Sequence, residues 1–267
     1  MNAITVGAAA WRPALTVSGL TVLRGGRPVL SGISTAFAEG AITAVVGPSG
    51  VGKTTLMSVL NGLVPPQAGE VAVAGLGGLG EPGVLREMRR RTATVFQDHA
   101  LIGRLPAIDN VLLGLSDTRH PLSPLPWPRA ARERAALALA DVGLLARATA
   151  RTDTLSGGER QRVGIARALV RGPRLILGDE PFASVDPALA RRLGDELRRL
   201  VARDGLTAVL VLHQLQLARV LADRIVGLAG GRVAFDGPAR AFDAAAEAAI
   251  FSAPAPDGDR APSPENP

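Results

Sequence analysis

The segment Gly47-Pro48-Ser49-Gly50-Val51-Gly52-Lys53-Thr54 places glycines at its first and sixth positions, followed by a lysine and a hydroxyl residue. Glycines let the backbone curl until successive N–H groups face inward and meet phosphate oxygens. A helix starting near Lys53 adds the positive end of its dipole. Lys53 is placed to reach β- and γ-phosphates, and Thr54 to set its hydroxyl on Mg²⁺. Thr55 joins the expected phosphate contacts. The motif follows a short apolar strand and precedes a helical stretch, the setting a nucleotide loop requires.

Composition adds a second argument for Lys53. Among 30 Lys and Arg residues it is the only lysine. A chain that writes nearly every positive charge as arginine keeps lysine where a planar fork does not serve. Lysine is a compact point charge on a flexible stem, which a tight phosphate cradle favours.

A phosphate loop also needs a carboxylate for the metal, at the end of a neighbouring apolar strand. Leu175-Ile176-Leu177-Gly178-Asp179-Glu180 supplies two. Asp179 is expected to complete the Mg²⁺ shell through water. Glu180 is expected to polarise an attacking water as general base.

These groups need a sheet to hold them. Residues 15–23 and 28–37 read as β segments around the turn Arg24-Gly25-Gly26-Arg27, and 41–46 as a buried strand entering the loop. A helix is expected over 53–61 and strands near 70–74 and 92–96. Helical patterns occupy 106–115 and 129–146, on either side of a Pro-rich stretch at 121–128. Helix 157–170, strand 175–177, helix 187–203 and strand 207–212 follow. Strands alternating with helices imply a mainly parallel sheet covered on both faces. The expected fold is α/β: a P-loop NTPase core, an N-terminal antiparallel β subdomain and an inserted helical subdomain at about 98–150. The expected domain spans 13–250, with disordered tails at 1–12 and 252–267.

The chain has 267 residues, 47% of them hydrophobic, and no cysteine. That excludes a disulfide framework and a Cys-based metal site, and no run reaches the roughly 18 apolar residues of a membrane span. No secretory signal is read at the N-terminus, and a cytoplasmic location fits. The net charge of +6 comes from arginines scattered along the chain rather than gathered in a patch, so no nucleic-acid partner is expected.

Further marks bring a family into view. Leu155-Ser156-Gly157-Gly158-Glu159-Arg160-Gln161 lies between the phosphate loop and the Asp-Glu strand and resembles the signature of ABC-type ATPases. Gln97 after Phe96 is similar to that family's Q-loop, Ser184-Val185-Asp186 to its D-loop, and His213 after a buried strand to its switch histidine. The resemblance covers roughly residues 15–250 and implies an ATPase using ATP and Mg²⁺. It implies two cassettes packed head-to-tail as a homodimer, each ATP lying between one copy's Lys53 loop and the other's Ser156, Gly157 and Gly158. It further implies that Gln97 is both a metal contact and a catalytic sensor, that His213 holds the γ-phosphate, the water and Glu180, and that Ser184 and Asp186 line the dimer contact. His99 and His120 carry no such expectation. The family usually stacks adenine on an aromatic residue about 25 positions before the loop. Here Val22-Leu23-Arg24 stands there and the chain has no tyrosine. Arg24 is expected to stack its guanidinium on the base instead.

Three short stretches are similar to phosphonate importer ATPases: 96–105 with Asn110-Val111-Leu112, Leu212-His213-Gln214, and 224–237. They imply integral-membrane permease subunits, a periplasmic solute-binding protein, and a place on the cytoplasmic face of the inner membrane. The inserted helical region would receive the permease. An importer of amino acids or another small solute is the alternative, and a non-transport ABC ATPase a further one. Such ATPases usually carry two cassettes per chain or a long coiled coil, and neither is visible here.

Overall fold

A computed structural model describes residues 11–95, 101–118, 126–183 and 185–252. Gln97, His99, His120 and Ser184, most of the expected N-terminal tail and residues 253–267 lie outside the described residues.

The core is a six-stranded sheet in the order β10-β9-β3-β8-β7-β6. Its centre is β3 (Ile42–Val46), where all five residues are buried. Alternation sends Ile42, Ala44 and Val46 to one face and Val45 to the other. Strands β7 (Leu175–Asp179) and β8 (Thr207–Val211) repeat the pattern, with Ile176, Ala208 and Leu210 on the first face and Leu177, Val209 and Val211 on the second. Each fully buried Leu or Val contributes about 1.5–3 kcal/mol of burial free energy, so register is firmly set on both faces. Pairing is parallel from β6 (Thr92–Val95) through β7, β8 and β3 to β9 (Arg224–Ala229). Only β10 (Arg232–Pro238) runs antiparallel, as a hairpin on β9.

The first face carries α5 (Gly157–Leu169), α6 (Pro187–Asp204) and α7 (Leu215–Leu221). Two more helices, α3 (Ala107–Leu112) and α4 (Arg129–Asp141), pack on α5. The second face is covered by α1 (Lys53–Leu60) and a four-stranded antiparallel sheet. In that sheet β1 (Pro13–Arg24) lies between β2 (Arg27–Ala38) and β4 (Ala68–Val73), with β5 (Gly77–Gly78) at the edge. Gly25–Gly26 makes the turn, and Arg24 and Arg27 form the last pair before it. Helices α2 (Pro82–Arg91) and α8 (Ala244–Phe251) complete the described chain. Among the described residues no helix is long and apolar enough to cross a membrane.

The mainly parallel sheet, the antiparallel N-terminal sheet and the helical region between β6 and β7 agree with the expected fold. Two helices are shorter than expected: the pattern at 106–115 ends as α3 at Leu112 and continues as a 3-10 helix over Leu113–Thr118. The pattern at 129–146 ends as α4 at Asp141, because Gly143 takes a left-handed φ of 65° and Leu144 N–H returns to Leu139 O at 2.8 Å. Asn110, fully buried, ties the helical region together. Its Oδ1 accepts from Ile102 N–H (2.8 Å), and its amide donates to the carbonyl of Ile102 (3.1 Å) and the hydroxyl of Thr152 (3.2 Å). The two sheets are joined at Asp236. It accepts from the Thr35 hydroxyl at 2.9 Å and pairs with Arg224 at 2.6 Å, while burial pushes its carboxyl above the usual range.

Candidate functional site

Strand β3 ends at Val46 and the chain enters the loop at Gly47. The loop leaves no space for side chains at two of its glycines. At Gly47 (φ 152°) a Cβ would lie 2.5 Å from the Leu228 carbonyl oxygen, and at Gly52 (φ 105°) 2.6 Å from Leu30 Cδ2. Gly52 then caps α1 in the left-handed region. Val51 packs into the core, whereas Ser49, Gly50 and Thr54 are exposed. Lys53 is 5% exposed, and its Nζ donates to the carbonyls of Gly47 and Pro48, both at 2.8 Å. Burial lowers its pKa, and the carboxylates of Glu180 and Asp179 draw it back up. The ammonium is thus held inside the loop by the loop's own carbonyls.

Strand β7 brings Asp179 and Glu180 to the same place. Burial raises the Asp179 carboxyl above its usual range, while a hydrogen bond from the Thr54 hydroxyl works in the other direction. Asp179 Oδ1 is buried and has no hydrogen-bond partner among the described residues. Such an oxygen fits a hard cation, and Thr54 offers a second oxygen across from it. Glu180 Oε1 meets His213 Nε2 at 2.6 Å. His213 follows β8, the central neighbour of both β3 and β7. Parallel strand order therefore places the loop, the acidic pair and the histidine at one end of the sheet, where open α/β sheets bind ligands.

Most of these residues line one cavity: Arg24, Gly52, Lys53, Thr54, Glu180 and His213 are on its wall, and Asp179 is not. Arg24, the last residue of β1, is exposed there. None of Ser156, Gly157 and Gly158 lines it. They open α5 instead, with Ser156 as the helix cap. The Ser156 hydroxyl accepts from Glu159 N–H at 3.2 Å, and the Glu159 carboxylate accepts from Ser156 N–H at 2.9 Å. That backbone hydrogen bond is the largest influence lowering the Glu159 pKa, and Arg147 stands 3.3 Å away. Asp186 caps α6, accepting from Ala188 and Leu189 N–H at 3.0 Å each, and Val185 is buried.

Two features escaped the sequence reading. One is the reciprocal cap between Ser156 and Glu159, which the Ser-x-x-Glu spacing could have signalled. The other is the backbone of Glu180, whose φ of 53° makes it the one non-glycine residue with positive φ among the described residues. That conformation costs about 1–2 kcal/mol for an L-residue. Its carbonyl accepts from Gln161 Nε2 at 3.3 Å, and Gln161 is 1% exposed. No spacing signal announces this contact.

The chain also has relatives among known proteins. A family model described as ABC transporter matches residues 30–183. The chain is 64% identical over 248 residues to the phosphonates import ATP-binding protein PhnC 2 of Rhodopseudomonas palustris, covering 93% of this chain and 87% of the relative. It is 48% identical over 236 residues to the phosphite import ATP-binding protein PxtA of Stutzerimonas stutzeri, covering 87% and 86%. Among solved structures, the ATP-binding cassette MJ0796, in a dimeric post-hydrolysis state bound to ADP and Pi, superposes with a TM-score of 0.75. It is 30% identical, and the match covers 85% of this chain and all of that one. The chain belongs to the ABC transporter family, as one of its ATP-binding cassettes.

Proposed function

We propose that this chain is the ATP-hydrolysing subunit of an importer for phosphonate or a related phosphorus oxyanion. The single observation that carries the motor is Glu180 meeting His213 at 2.6 Å on the wall of the Lys53 cavity. The relatives named for phosphonate and phosphite import supply the cargo class.

The loop residues Gly47 to Thr55 hold the triphosphate, with N–H groups toward its oxygens. Lys53 exchanges the carbonyls of Gly47 and Pro48 for β- and γ-phosphate oxygens. Thr54 and Asp179 hold Mg²⁺, with Gln97 from beyond the described residues; the unpartnered Asp179 oxygen supports this assignment. Bound Mg²⁺ neutralises phosphate charge. Glu180 accepts a proton from the attacking water as the new O–P bond forms and ADP leaves. His213 holds Glu180 in place and faces the γ-phosphate. Arg24 lies against the adenine.

Ser156, Gly157 and Gly158 form a second anion site at the start of α5, away from this cavity. A site split in this way is completed by a second copy, so the active form is a head-to-tail homodimer. The dimer works on permease subunits that receive the helical region, with a periplasmic solute-binding protein delivering cargo, and sits peripherally on the cytoplasmic face of the inner membrane. No nucleic acid takes part.

The cargo is tested in the host. A strain lacking this chain should fail to grow on an alkylphosphonate as sole phosphorus source while growing normally on inorganic phosphate. Loss confined to phosphite would move the assignment to phosphite. Normal growth on both would sink the phosphorus-oxyanion reading.

A further inference from the structure

Glu180 stands in a backbone conformation that its neighbours must enforce. It is left-handed at φ 53°, and it precedes Pro181, which biases the residue before it toward extended backbone. Two donors grip its carbonyl oxygen. Ala183 N–H does so at 3.1 Å within the same turn, and Gln161 Nε2 at 3.3 Å from another element. Gln161 is a buried amide on α5, in contact with the peptide of the very residue whose carboxylate meets His213.

The other end of the link is the start of the same helix. Gln161 lies five residues after Ser156, which is about 7.5 Å along a rigid helix axis. A helix is stiff over so short a span, so a displacement of the Ser156 turn is carried to Gln161. Ser156 does not line its own chain's Lys53 cavity, while Gln161 holds the base on that cavity's wall.

We propose that Gln161 is a positioning residue that couples the two ATP sites of the dimer. It ties the Ser156 turn, which serves the partner's nucleotide, to the Glu180 peptide of its own chain. Engagement of the turn by the partner's phosphate sets the α5 N-terminus, and Gln161 then fixes the base for its own site. The proposal rests on the split-site dimer proposed above. A buried glutamine that only satisfies its own amide would have no such effect.

The test is steady-state ATP hydrolysis by the purified full chain, comparing wild type with Gln161→Met, which keeps the length and removes the donor. Expected are a fall in kcat of about tenfold, the scale of one lost positioning hydrogen bond, and a Hill coefficient for ATP falling from above one to about one. The ATP concentration giving half-maximal dimer formation, measured by light scattering in a Glu180→Gln background, should stay within about twofold, since Gln161 touches no nucleotide. Should Gln161→Met fold poorly by thermal melting, Gln161→Asn keeps the amide but falls one methylene short, and carries the same expectations. Unchanged kcat, or a reduced kcat with the Hill coefficient preserved, overturns the coupling. A wild-type chain that hydrolyses ATP without cooperativity also overturns it and leaves the motor standing. A wild-type chain that hydrolyses no ATP sinks the proposed function itself.

Discussion

Lys53→Arg keeps the charge and changes only the shape that carries it. The structure leaves little slack for the change. Lys53 is 5% exposed, its ammonium sits 2.8 Å from two loop carbonyls, and the loop closes on Leu228 and Leu30 at its glycines. A guanidinium is wider and donates in a plane, so it cannot take the ammonium's place without opening the loop. Without nucleotide, the cost comes from the two charge-assisted hydrogen bonds, each worth about 1.5–3 kcal/mol when fully lost. Partial replacement reduces that sum, so a drop of several degrees in Tm is expected, at about 2–4 °C per kcal/mol for a chain of this size. With nucleotide, the arginine fails to reach charge that develops on the phosphates. Losing one preorganised donor of that kind costs about 100- to 1000-fold. Steady-state hydrolysis of MgATP over a range of ATP concentrations gives kcat/KM, and melting curves on the same preparations give Tm. Turnover within about fivefold of wild type, barely 1 kcal/mol of barrier, would refute the account of why the chain keeps a single lysine.

Glu180→Gln should bind ATP and accumulate as a stable ATP-bound dimer with hardly any hydrolysis, visible by size-exclusion chromatography; unchanged turnover would remove Glu180 as the base. Arg24→Ala should weaken ATP binding while leaving inorganic triphosphate binding as it was, because Arg24 lines the cavity at the end of β1; equal ATP affinity in a titration would end its role at the base. Asp179→Asn should abolish Mg²⁺-dependent hydrolysis yet raise Tm at pH 8. Burial raises the Asp179 pKa above its ordinary value of 3.8. The stability linked to that carboxyl is therefore full below the ordinary value and lost as pH rises through the raised one. The Tm gain of the variant should accordingly shrink as pH falls through the raised value, and a gain independent of pH would contradict the assignment.

Much of the site was legible because it is local. The phosphate loop is eight consecutive residues, the acidic pair ends a run of apolar ones, and His213 follows another such run. The parallel sheet then brings three strand ends together, a consequence of alternation that a linear reading anticipates. The hairpin of β9 and β10 was not read from the sequence, although Gly230–Gly231 between its two strands is a turn signal. The stop of α4 hung on one glycine. The Gln161 contact to Glu180 was out of reach for a different reason. It spans 19 residues and depends on how α5 lies against the end of β7, which no local propensity encodes.

The box at the start of α5 bears on how readily the two cassettes part. In the proposed dimer, the helix end that would receive a partner's phosphate has its cap already engaged: the Ser156 N–H donates to the Glu159 carboxylate, which Arg147 steadies. A phosphate that took the Ser156 hydroxyl or N–H would compete with that box. The competition would surrender part of a cap worth about 0.5–2 kcal/mol, and releasing the phosphate would restore it. In the proposed dimer, reopening would then be assisted from within each chain.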